Sequence, residues 1–81
     1  MNFLPIQCKM ARAALGIGVR ELAAAAKVSV DTVARFERGD ELKERTVEAL
    51  RNVFLHAGVE FIDENGGGPG VRLRRRPKRD R

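Results

Sequence analysis

The sequence predicts a small, mainly α domain of four to five short helices, closed by a C-terminal β-hairpin or strand pair. Three observations predict it. Apolar residues recur at helical spacing in successive short stretches before residue 58. Glycines at 16, 39 and 58 punctuate those stretches where a helix would end. After Gly58 the pattern changes to alternation, in Val59-Glu60-Phe61-Ile62 and Val71-Arg72-Leu73-Arg74, around a stretch rich in glycine.

The first helix is expected over 5–15. Pro5 suits a first helical position, where its missing amide costs nothing. Leu4, Cys8, Ala11 and Leu15 then form one stripe, with Lys9 and Arg12 off it. A second helix over 18–26 turns Leu22, Ala23 and Ala26 inward, and its run of four alanines favours helix at little side-chain cost. A third, over 29–38, turns Val33 and Phe36 inward. Val28 points inward between the two helices. Ser29 is a good N-cap, able to accept from the amide of Asp31 or Thr32. Gly39 closes this helix, and 40–44 is a charged linker. Thr46 is expected to cap a fourth helix over 47–57, with Val47, Leu50, Val53, Phe54 and Ala57 as its stripe.

The joint between the second and third helices resembles the helix-turn-helix of the Cro/XRE family of bacterial and phage repressors, a lambda-repressor-like fold. Leu22-Ala23, Val28-Ser29, Thr32-Val33 and the closing Phe36-Glu37-Arg38-Gly39 carry the likeness, which extends over 8–16 and 46–58. The small Ala23 suits the crossing of two helices joined by a tight turn. Two positions depart from the pattern: Val19 stands where the family has Gln, and Lys27 where it has Gly at the turn. The resemblance implies that Arg12 pairs with Glu37, tying the first helix to the third.

It also implies a recognition helix over about 29–38 in the major groove of double-stranded DNA. With Val33 and Phe36 turned inward, Val30, Asp31, Ala34 and Arg35 face out and Thr32 sits at the margin. Candidate base contacts are therefore Val30, Asp31, Thr32 and Arg35. Arg35 suits a guanine edge, Val30 a thymine methyl, and Asp31 either a cytosine amine or the positive helix N-terminus. Candidate backbone contacts are Arg20, Lys27, Ser29, Arg38, Lys43 and Arg45, which position a protein without specifying sequence.

The chain divides into a helical part (1–58), a strand extension (59–74) and a basic tail (75–81). Of the formal charge of +5, residues 71–81 hold +6 and the rest −1. Arg74, Arg75, Arg76, Lys78 and Arg79 make a polyanion-seeking arm, too charged to fold alone. Two short strands are marginal in water and leave open edges. A homodimer joining the strands of two chains is expected, through Phe61, Ile62, Val71 and Leu73.

Other function classes find little support. Cys8 is the single cysteine and His56 the single histidine, so neither a cystine nor a metal site is expected, and nothing calls for a cofactor. The GGGPG run lacks the Lys-Ser/Thr of a phosphate-binding loop. No nucleophile with its base is apparent, so an enzyme is not expected. No apolar stretch is long enough to span a bilayer, and the N-terminal residues do not read as a signal peptide, which points to the cytoplasm and its nucleoid. RNA binding would need an aromatic platform, and the chain has four Phe and no Tyr or Trp. The remaining alternative is an antitoxin or adaptor that uses the same fold to bind a protein partner. Asp31, Asp40, Glu41 and Glu44, beside the expected DNA face, speak for it.

Overall fold

The computed structural model describes residues 3–74. Four helices are followed by two strands: α1 (Pro5–Leu15), α2 (Val19–Ala26), α3 (Val30–Arg38), α4 (Glu44–His56), β1 (Val59–Ile62) and β2 (Gly70–Leu73).

Local chemistry sets most of these boundaries. Pro5 opens α1, and the Gln7 side chain accepts from the Leu4 amide at 3.0 Å, satisfying a donor that the helix start leaves unpaired. Gly16, at φ 71°, ends it. Gly18 precedes α2, and its amide donates to the Glu21 carboxylate at 2.6 Å. Ser29 caps α3 as expected: its hydroxyl accepts from the Thr32 amide at 3.0 Å. Gly39, at φ 101°, closes α3, and the Asp40 amide donates back to the Arg35 carbonyl at 2.9 Å.

The fourth helix corrects the sequence reading. It starts at Glu44 and ends at His56, so Thr46 lies in its first turn and is not its cap. Lys43 occupies the cap position, and its carbonyl accepts from the amides of Thr46 and Val47 at 2.9 and 3.1 Å. Glu44 and Arg45 are good helix formers, and the acidic Glu44 favours the positive end, so the helix extends backwards into the charged linker.

The strands pair antiparallel, Val59 opposite Leu73 and Ile62 opposite Gly70. The extension at 59–74 shares the helical core. Val59 is fully buried, and Phe61 and Val71 pack against the buried cluster. That cluster draws on every helix: Cys8, Ala11, Leu22, Val33, Leu50 and Phe54 are all inaccessible to solvent. Phe3 stacks on Phe36 with ring centroids 5.2 Å apart and meets Phe61 at 4.9 Å and Phe54 at 6.1 Å. All four phenylalanines of the chain thus lie in one aromatic cluster.

The expected dimer residues are therefore divided. Phe61 and Val71 turn towards their own helices, Ile62 is half-buried, and Leu73 is left 36% exposed. Phe61 and Val71 are needed by the protomer because a core this thin uses every apolar side chain within reach. A polar clamp completes the docking. Gln7, 1% exposed, donates through its amide nitrogen to the carbonyls of Ile62 and Gly70 at 3.1 and 3.0 Å. It joins the start of α1 to the last rung of the hairpin. Among the described residues no helix is long and apolar enough to cross a membrane.

Candidate functional site

Helix α3 presents two faces. Val33 and Phe36 are buried, while Val30, Asp31, Ala34 and Arg35 are exposed and Thr32 lies between. Val30 is 44% exposed, high for a large apolar side chain. The Thr32 hydroxyl is 2.8 Å from that of Ser29, so both belong to the cap at the start of the helix. Asp31 lies in the first turn, where negative charge is favoured.

The roll of α3 is fixed from behind. Glu37, its side chain 9% exposed, receives a two-pronged pair from Arg12, Nε to Oε2 at 2.8 Å and Nη2 to Oε1 at 2.9 Å. The pairing implied by the resemblance is therefore present. Burial alone would raise the Glu37 carboxyl, but hydrogen bonds from Arg12 and the Cys8 thiol outweigh it and hold it below the usual carboxylate value. Burial, with that same hydrogen bond, pushes the Cys8 thiol above its ordinary range. Cys8 is thus a buried, unreactive thiol.

A shallow cleft beside α3 is lined by Thr32, Arg35, Glu41, Leu42, Lys43 and Thr46. It brings a candidate base contact, Arg35, to the loop that carries Lys43. Arg20, Lys27 and Arg45 are exposed but do not line it. Lys27 holds a left-handed conformation at φ 61° and lines a separate groove between α2 and α4.

Asp40 was expected as an acid beside the DNA face and not as a partner of its cations. Its carboxylate lies 2.8 Å from Arg38 Nη2 and 3.6 Å from Arg35 Nε. The hydrogen bond from Arg38 holds the Asp40 carboxyl below its usual value. The Gly39 turn sets Asp40 there, so the sequence signal was an acid placed directly after a helix-closing glycine.

Arg74, the first residue of the expected basic arm, donates its amide to the Gly58 carbonyl at 2.8 Å, and its guanidinium reaches the Leu55 carbonyl at 3.4 Å. Arg75, Arg76, Lys78 and Arg79 lie outside the described residues.

The result is an exposed face of Val30, Asp31, Ala34 and Arg35, backed by a half-buried ion pair. Among the described residues no group of His, Cys, Asp or Glu could hold a metal ion. No protein-family model matches the chain, and no curated protein matches it.

Proposed function

We propose that this chain is a sequence-specific double-stranded DNA-binding regulator of the Cro/XRE type. It acts as a homodimer in the cytoplasm, on the nucleoid, and represses by occupying its site. One observation carries the reading: the exposed face of α3, with Val30, Asp31 and Arg35 outward, is held in a fixed roll by the Arg12–Glu37 pair. An α-helix with such a face fits a major groove, its N-terminal residues at the base edges.

The acidic residues that spoke for an antitoxin or adaptor are partly accounted for within the fold. Asp40 pairs with Arg38 and Arg35, and Glu44 sits in the first turn of α4. Of those acids Asp31 and Glu41 remain for that alternative, beside Val19 where the family has Gln.

Selection of bound duplexes from a random pool tests the proposal. Enrichment of an inverted repeat with half-sites about one helical turn apart is expected. Arg35→Ala should lose ~1–3 kcal/mol of discrimination at one base pair of each half-site, read as a flattened preference there. A pool without enrichment, or an unchanged preference in Arg35→Ala, would overturn it.

A further inference from the structure

Residues 63–69 join β1 to β2, and an Asn-Gly pair, Asn65 and Gly66, sits within them. Both residues are exposed and belong to no helix or strand. The side-chain amide carbon of an asparagine is an electrophile, one ring closure away from the backbone nitrogen of the residue that follows. Folded chains block that closure in three ways. A hydrogen bond holds the following amide, a following side chain obstructs the approach, or a partner holds the asparagine amide itself. None of these operates at Asn65. Among the described residues no hydrogen bond is made by the Asn65 side chain or the Gly66 amide. A Cβ placed on Gly66 would meet nothing within 4 Å, and its φ of 103° favours glycine, so the turn itself requires an unhindered neighbour there. Asn52 is the contrast within the same chain. It is also exposed, but it lies in α4, where the Val53 amide belongs to the helical ladder and the stiff, branched Val53 side chain crowds the approach.

We propose that Asn65 is a site of spontaneous modification in the folded protein, converting to aspartate and isoaspartate with water as the co-reactant. The Gly66 nitrogen loses its proton and attacks Asn65 Cγ. A five-membered succinimide closes, the Cγ–Nδ2 bond breaks, and Nδ2 leaves as ammonia. Water then opens the ring at either carbonyl. Opening at Cγ restores the ordinary backbone with an aspartate side chain. Opening at the backbone carbonyl leaves the chain running through Cβ and Cγ, as isoaspartate. Both products exchange one ammonia for one water, need no oxidant, and lower the formal charge of +5 by one.

The fold accommodates either product. The ends of the loop are fixed by the pairing of Ile62 with Gly70 and by the Gln7 side chain, which bonds to the carbonyls of both. Isoaspartate adds one backbone carbon between those anchors, and the cost of closing a loop grows only with the logarithm of its length. Phe61 and Val71, beyond the anchors on either side, keep their places against the core. The pocket beside the loop sets Asp63 and Glu64 opposite Leu4 and Gln7 at the start of α1, so the groups of α1 that face it carry no charge. The modified chain therefore stays folded and carries its new carboxylate on the surface. None of this rests on the DNA reading.

The test ages the full chain in mildly alkaline buffer and samples it over days. Cleavage after arginine and lysine releases residues 52–72 as one fragment that holds both Asn52 and Asn65. Fragment-ion mass spectrometry should place the exchange of ammonia for water at Asn65, in two products that separate on a column, with Asn52 unchanged. An isoaspartate-specific carboxyl methyltransferase, supplied with its methyl donor, should label the aged chain and not the fresh one. The rate should rise with hydroxide concentration, because the attacking nitrogen must lose a proton. Asn65→Gln, whose closure needs a larger ring, should stay unlabelled, and the aged parent should melt where the fresh one does. A synthetic peptide of residues 61–72 gives the rate without the fold. A peptide that converts while the chain does not would show that the fold protects Asn65, and would overturn the proposal. Equal conversion at Asn52 and Asn65, equal labelling of Asn65→Gln, or a melting temperature that falls as product accumulates would each overturn it too.

Discussion

At the scale of single residues, two carboxylates on or beside α3 do opposite things. Glu37 faces inward and holds the helix; Asp40 faces outward and occupies its cations. Glu37 is depressed in the fold, so its contribution is complete above its unfolded value of about 4.3 and is lost as pH falls through the lower folded value. Glu37→Gln should remove that acid limb from a plot of thermal stability against pH. At neutral pH it should cost ~2 kcal/mol, below the range for fully buried pairs because Arg12 is 21% exposed. A variant whose acid limb matches the parent would show that another group sets it. Asp40 is solvated, so its effect belongs to binding and not to stability. Asp40→Asn frees Arg38 and Arg35 for phosphate. Random duplex should bind more tightly, with the log–log salt slope steeper by about 0.9, and the ratio of specific to random affinity should fall. Glu64→Gln removes the same charge from the exposed hairpin loop. If it has the same effect, net charge and not the Asp40 contact is responsible.

At the scale of elements, what could be read in advance was whatever local chemistry decides. Ser29, Gly16 and Gly39 mark helix ends because a hydroxyl acceptor or a left-handed backbone is needed there whatever the tertiary context. The start of α4 was not legible in this way. Thr46 offered a capping hydroxyl, yet the helix starts at Glu44, with Lys43 in the cap position and no side-chain cap at all. Gln7 was missed although its signal was present. Positions 4, 7, 8 and 11 follow one helical stripe, and a Gln on that stripe is buried only if distant carbonyls await it, here those of Ile62 and Gly70. Phe3 was missed likewise: it precedes the cap residue Leu4 and joins Cys8 in the core, as a hydrophobic staple does. The turn between α2 and α3 could be read as strained, and Lys27 is the only non-glycine at positive φ among the described residues. Lys27→Gly relieves ~1 kcal/mol of left-handed strain and returns part of it as unfolded-chain entropy. A net gain of ~0.5 kcal/mol is expected, read as a rise in melting temperature of about 2–4 °C for a chain of this size. A lower melting temperature would mean that the lysine side chain contributes contacts that outweigh the strain.

At the scale of the whole molecule, charge and shape are separated along the chain. The described body measures 38 × 33 × 18 Å, so its long dimensions approach the ~34 Å between successive major grooves on one side of a duplex. Two protomers side by side on a two-fold axis could therefore reach both. Residues 1–70 carry a net −1, and positive charge is concentrated in 71–81 at +6. On the proposed reading, recognition belongs to the folded part, and most of the long-range attraction for a polyanion belongs to the charges that follow β2 in the sequence. Truncation after Arg74 keeps the two bonds that Arg74 makes to the Leu55 and Gly58 carbonyls and removes five Lys/Arg and one Asp. Thermal stability should change little. If each lost cation neutralises a phosphate in the complex, the log–log dependence of affinity on salt should shallow by up to about 4.5, and binding at ~0.15 M salt should weaken for every sequence alike. The preferred site should stay the same, because backbone contacts position the protein and base contacts select. Titrations of preferred and random duplexes at several salt concentrations measure all three quantities together. A changed site preference would place the residues after β2 at base edges, and an unchanged slope would take them off the duplex altogether.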